Sequence, residues 1–126
     1  FRSPRIHGVQ AEACAPLVEA WERGLPEPVP ISPGLTVAGG IRVERPPRGA
    51  QVLGMVRAAG GSLVKVGDAE ILDWARFLAE REGILAEPTS AAAFAGLARL
   101  VALGRLGPGA EAVVPVTGSG LKTVAA

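Results

Sequence analysis

Residues 62–83 read SLVKVGDAEILDWARFLAEREG, a β-branched run that passes without a break into an amphipathic helix. Ser62 to Val66 has the composition of a strand. From Asp68 onward the apolar residues Ile71, Trp74, Ala75, Leu78 and Ala79 return every three or four positions and share one stripe. Asp73, Arg76, Glu80 and Arg81 fall outside it. Asp68 is expected as the N-cap and Gly83 as the C-terminal cap. A strand feeding directly into a helix with one apolar face is half of a β–α unit, and that face is expected to lie on a sheet.

The same alternation extends in both directions. Toward the C-terminus, Ile84 to Ala86 reads as a brief strand and residues 87–103, EPTSAAAFAGLARLVAL, as a helix that is apolar nearly all round and therefore buried. Its first half is mostly Ala, Ser and Gly, which permits close approach of a neighbour. Residues 112–116 read as a last strand, ending in a Gly-rich loop. Toward the N-terminus, residues 6–11 read as a strand and about 13–23 as a helix, with Cys14, Leu17, Val18 and Trp21 on one face. Prolines at 26, 28, 30 and 33 then exclude a central strand or helix, so residues 24–34 are a Pro-rich linker. Residues 36–43, TVAGGIRV, read as a strand or a bend at Gly39-Gly40, and a helix follows Pro46-Pro47 with Val52, Leu53 and Val56 on one face. The fold class expected is α/β: three layers, a largely parallel twisted sheet with flanking helices, in a single segment over 1–126.

Composition narrows the function classes. A formal net charge of +1 with scattered arginines leaves no electrostatic footprint for nucleic acid. No apolar run approaches the roughly 18–20 residues needed to span a bilayer, and nothing reads as a signal peptide, so no membrane role and a cytoplasmic location are expected. One cysteine, Cys14, can form no internal disulfide and has no metal-ligand partners at a useful spacing. It reads as a buried small residue, and no metal is expected. A hydrophobic content of 48% and mean hydropathy of +0.32 are high for 126 residues, which suggests apolar faces meant for surfaces outside this segment. With the only Met at position 55, the chain is expected to be a fragment.

The loop VVPVTGSGLKT, 113–123, carries the candidate chemistry. A phosphate-binding P-loop is excluded by spacing, because Leu121 separates Gly120 from Lys122 and Pro115 stands where the first Gly belongs. A serine-hydrolase elbow is excluded because Thr117, not Gly, lies two residues before Ser119. In a parallel sheet, ligands bind outside the carboxyl ends of the strands, where Thr117-Gly118-Ser119-Gly120 should sit. His7 reads as structural and Lys65 as solvent-facing. Nothing around Lys122 would desolvate it. Glu87 is either a base or a carboxylate that favours a helix N-terminus.

Taken in order, PRIHGVQAEACAPLVEAW, TVAGGIR, AAGGSLVKVGDAEIL, REGILAEPTSAAAFAGL and VVPVTGSGLK resemble the C-terminal third of the threonine synthases, fold-type-II pyridoxal-phosphate enzymes. The resemblance covers nearly the whole chain, though EPTSA is shared with threonine dehydratases. It implies the C-terminal part of a large pyridoxal-phosphate-binding domain. It further implies Thr117 presenting its hydroxyl to the pyridine nitrogen with Gly118 giving access, Ala38 and Gly39 against the ring, and Glu87, Ser90 and Ser119 behind them. A neutral hydroxyl, unlike an aspartate, does not force that nitrogen to stay protonated.

The activity implied is conversion of O-phosphohomoserine and water to threonine and phosphate. The Schiff-base lysine and the phosphate cradle lie in the family's N-terminal part, and neither Lys65 nor Lys122 matches the lysine's motif, so this chain alone is expected to be inactive. The implied partners are that N-terminal part, an amino-acid substrate and, in the intact enzyme, further copies of itself. Two departures bear on the substrate: Ser119 stands where many threonine synthases have His, and Ile41 to Pro46 replaces an Ile-Gly-Asn-Pro continuation. A threonine or serine dehydratase-like lyase is the nearest alternative. From another class, a non-catalytic regulatory module that binds an amino acid remains open.

Overall fold

The strand Leu63–Val66 (β2) pairs in parallel with Gly8–Ala11 (β1), Gly8 opposite Leu63 and Ala11 opposite Val66, in a computed structural model that describes residues 2–123. Side chains alternate across this ribbon, so Gly8, Gln10, Leu63 and Lys65 face one way while Val9, Ala11, Val64 and Val66 face the other. Helices cover both faces. Pro16–Glu22 (α1) and Gly49–Ala58 (α2) build a core with Leu63 from Leu17, Val18, Ala20, Leu53 and Val56. Asp68–Glu82 (α3) and Pro88–Ala102 (α4) build the opposite core, where Ile71, Ala91, Ala92 and Ala95 meet Val66 and Ala38. The chain is thus a helix–sheet–helix sandwich of the expected α/β class, with each fully buried Leu53 or Ile71 contributing about 1.5–3 kcal/mol of transfer free energy.

Two local devices hold the layers together. Gln10, buried in β1, accepts the backbone N–H groups of Leu17 at 2.9 Å and Val18 at 3.0 Å. The strand therefore caps α1, which has no side-chain cap of its own. Gly96 lets α4 lie directly on β1, for a Cβ there would collide with both methyl groups of Val9.

The structure corrects several boundaries. The first helix begins at Pro16 rather than near 13, because Ala11–Cys14 closes a turn in which Cys14 N–H donates to Ala11 C=O at 2.9 Å. Asp68 is the first helical residue of α3 and not its cap. Gly67 holds the cap position, and Glu70 reaches back to accept its N–H at 2.8 Å. Gly83 ends α3 in the left-handed conformation, φ 67°, as its position requires. The segment 36–43 resolves as a bend with a 3₁₀ turn at Gly39–Ile41. No residue of α4 from Pro88 to Leu100 is exposed, in keeping with so apolar a helix, whereas Val101 and Leu103 at its C-terminal end are.

The expected strands at 84–86 and 112–116 are absent from the regular sheet among the described residues. Ala86 makes a single antiparallel bridge, to Ser119. Residues 110–115 carry no regular secondary structure, and with β1 they line an apolar groove of about 540 Å³ bounded by His7, Val9, Leu97, Leu100, Val114 and Pro115 among others. A strand is defined by its hydrogen-bonded neighbour, and 112–116 pair with none among the described residues.

Candidate functional site

The first turn of α4 is where the chemically equipped loops meet. Pro88 starts the helix, where its missing N–H costs nothing, and Thr89 and Ser90 follow in the turn that has hydroxyls to offer. Each hydroxyl holds a different loop.

Ser90, 1% exposed, holds the loop 117–119. Its Oγ accepts the N–H of Gly118 at 2.8 Å and lies 3.0 Å from Thr117 Oγ1 and 3.3 Å from the Gly118 carbonyl. That carbonyl also accepts the N–H of Glu87 at 3.1 Å, and Gly120 N–H donates to Leu85 C=O at 2.8 Å. The loop is laced to residues 85–90 through backbone groups on both sides, while Thr117 itself remains exposed. Gly118 packs so closely on Glu87 that no side chain fits between them. The Glu87 side chain, 14% exposed, is paired through Oε2 with Lys122 Nζ at 3.1 Å.

Thr89 holds the other loop. Its Oγ1 accepts the N–H of Gly40 at 3.1 Å. Further back, Asp68 anchors the approach to this bend: Thr36 Oγ1 donates to Oδ1, Val37 N–H donates to Oδ2 at 3.0 Å, and Ala38 N–H donates to Thr36 Oγ1 at 3.2 Å. Ala38 is fully buried against Val66, Ala91 and Ala92, whereas Gly39 is exposed with nothing within 4 Å of where its Cβ would stand.

Of the residues singled out from sequence, Thr117, Gly118, Ser90 and Glu87 form one bonded cluster. Ala38 and Gly39 lie on the flank of the same helical turn. Ser119 is placed differently: it is exposed, bridges Ala86 through its backbone, and its Oγ accepts the N–H of Leu121 at 3.2 Å within its own loop. Sequence reading passes over Thr89, Thr36 and Asp68 as loop anchors, and Lys122 as the partner of Glu87. The signal for Thr89 is present, since EPTSA puts two hydroxyls side by side at a helix start. The others join positions too far apart in sequence to be foreseen.

Both lysines of the chain are paired with carboxylates. Lys65 Nζ donates to Glu19 Oε1 at 3.0 Å on the α1 side of the sheet, a correction to its reading as simply solvent-facing. The hydrogen bond to Glu19 raises its pKa, aided by the charges of Glu19, Glu22 and Glu12 and opposed by burial, which keeps it an ammonium rather than a nucleophile. Glu70 is held below its ordinary value first by the Gly67 N–H and then by Arg99, its partner from α4. His7 accepts the N–H of Ser62 on Nδ1 at 3.1 Å, in a structural role far from the cluster in sequence. Cys14 is buried and free, as expected. No group of His, Cys, Asp and Glu that could hold a metal occurs among the described residues, and no helix among them is long and apolar enough to cross a membrane.

Comparison with known proteins covers nearly the whole chain. A family profile described as pyridoxal-phosphate dependent enzyme matches residues 1–118. The threonine synthase of Methanosarcina acetivorans is 40% identical over 119 residues, 94% of this chain and 29% of its own length. The threonine synthase of Methanocaldococcus jannaschii is 34% identical over 119 residues, again 94% of this chain and 29% of its own. Among solved structures, the crystal structure of a T.th. threonine deaminase superposes with a TM-score of 0.62 at 25% identity, covering 76% of this chain and 34% of that one. The chain therefore spans less than a third of the length of the curated relatives cited here.

Proposed function

The chain belongs to the family of pyridoxal-phosphate dependent enzymes, and on that premise we propose that it is the C-terminal part of a threonine synthase-like enzyme acting on O-phosphohomoserine and water to give threonine and phosphate. The observation that carries this reading is the bonded cluster of Thr117, Gly118, Ser90 and Glu87 at the start of α4, within a chain 40% identical to a threonine synthase.

The residues present fit the cofactor. Thr117 is exposed with its hydroxyl at the edge of the cluster, and Gly39 offers bare backbone with open space above it, which a flat ring can approach closely. When bound, the cofactor supplies the electron sink that elimination of phosphate and addition of water require. The protein's part is to hold it. Thr117 takes the pyridine nitrogen, Gly39 lies along the ring, and Ser90 and Glu87 fix the loop that carries Thr117. Ala38, with no exposed surface, does not meet the ring as its motif implied and instead packs the bend onto α4 from beneath. Ser119, exposed beside them, contributes to the substrate's surroundings.

Neither lysine in this chain is assigned as the covalent anchor, because neither lies in the motif of the family's lysine; Lys65 is paired with Glu19 and Lys122 with Glu87. Catalysis then needs an N-terminal part that supplies the lysine and the phosphate cradle, and the chain alone is inactive. The complete enzyme is cytoplasmic and assembles as a homo-oligomer.

A second reading, a threonine dehydratase-like lyase, is favoured by the likeness to threonine deaminase. Products separate the two. The complete protein is expected to release phosphate from O-phosphohomoserine; ammonia and 2-oxobutyrate from threonine, without phosphate release, would replace the first reading with the second. Thr117→Val is expected to lower turnover of either reaction with little change in thermal midpoint, and unchanged turnover would remove the role given to Thr117.

A further inference from the structure

A serine hydroxyl has one proton to give and two lone pairs to offer. At Ser90 one lone pair is committed, since Gly118 N–H donates to it at 2.8 Å. Its proton has two possible destinations, Thr117 Oγ1 at 3.0 Å and the Gly118 carbonyl at 3.3 Å. The carbonyl is the longer contact and already accepts Glu87 N–H at 3.1 Å. The shorter one is closer to the roughly 2.7–2.8 Å usual for O–H···O bonds. Ser90 is 1% exposed, so no solvent competes for the proton.

We infer that Ser90 is a positioning residue that donates to Thr117 Oγ1 and so leaves the Thr117 proton directed outward, making Thr117 a donor and not an acceptor toward the group it faces. Reversing the bond would turn the Thr117 proton inward and present only lone pairs. The inference rests on the reading that Thr117 faces the pyridine nitrogen. Its consequence for that reading is that the nitrogen is an acceptor, held unprotonated by a residue that never touches the cofactor. Removing the Ser90 proton frees Thr117 to accept as well as donate, and protonation of the nitrogen becomes easier.

The test is a double-mutant cycle in the complete enzyme, loaded with cofactor isotope-labelled at the ring nitrogen. Two quantities are read: the NMR signal of that nitrogen as a function of pH, and the cofactor dissociation constant. Thr117→Val is expected to move the nitrogen signal and to raise the dissociation constant about five- to tenfold, the loss of one hydrogen bond. Ser90→Ala is expected to move the signal toward the protonated position while Thr117 is present, and to add no further shift in the Thr117→Val background. An equal shift in both backgrounds, or none in either, would overturn the role of Ser90 while leaving Thr117 in place. A Thr117→Val variant with unchanged signal and affinity would overturn the reading of Thr117 itself. Should Ser90→Ala fail to fold, Ser90→Cys carries the same cycle, because a thiol of similar size is a weak donor.

Discussion

Gly118 and Glu87 are in contact so close that a Cβ at 118 would lie well inside 3.0 Å of Glu87 Oε1 and of its carboxyl carbon. The Glu87 carboxylate cannot simply step aside, because it is mostly buried and held by Lys122. Gly118→Ala is therefore expected to expel the Glu87 side chain, break its pair with Lys122 and shift Thr117 away from Ser90. In the complete protein, cofactor affinity should fall more than about tenfold for a stability change of about 1–3 kcal/mol. Cofactor titration beside thermal unfolding measures both; undiminished affinity would mean that the loop's seat on Glu87 does not matter to the ligand.

Gly39 is the converse case. Nothing lies within 4 Å of its absent Cβ, so Gly39→Ala should leave stability within about 0.5 kcal/mol. If the ring passes over this backbone, the added methyl weakens cofactor binding all the same. The expected outcome is an unchanged unfolding midpoint with a raised dissociation constant, and an unchanged constant would take Gly39 out of the ring's path.

Asp68 ties the bend at 36–41 to α3 by accepting from Thr36 Oγ1 and Val37 N–H together. Asp68→Ala removes both acceptors and should cost about 1–3 kcal/mol. Amide exchange at Val37 and Ala38 should quicken more than exchange in β2. Uniform quickening across the protein would point instead to a loss at the helix start alone.

Burial, with Arg5 adding to it, holds the His7 imidazole below its ordinary value. The folded protein then takes up this proton at lower pH than the unfolded chain does. The resulting stability is whole above the unfolded value of about 6.5 and is lost as pH falls below it toward the lowered folded value. His7→Asn keeps an acceptor for Ser62 N–H and removes the titration. Thermal midpoints measured between about pH 7.5 and about pH 5 should fall less steeply for the variant than for the parent. Parallel profiles would show that His7 does not contribute.

The β–α alternation, the helix 68–83 and the Pro-rich linker were legible because each rests on local information: the period of the apolar residues, a cap, a run of prolines. Thr117, Gly118 and Glu87 were legible as a group of residues through their motifs, though not as a bonded cluster. What sequence alone misread were features that depend on a distant partner. Residues 112–116 have strand composition, yet they pair with no strand among the described residues. Lys65 has the pattern of a solvent-facing residue, yet Glu19 of α1 reaches it.

The sequence by itself determined the α/β class and the parallel character of the sheet, because periodicity and turn chemistry act over a few residues; the residues of the cluster were named only through the resemblance of their motifs to a known family. Only the tertiary structure decided that Asp68 anchors a loop and not the helix it begins, that Ser119 turns back into its own loop, and that two adjacent hydroxyls at the start of α4 each hold a different segment. Those last are hydrogen bonds between positions 27 to 49 residues apart, and their existence depends on how two helical layers seat on one ribbon.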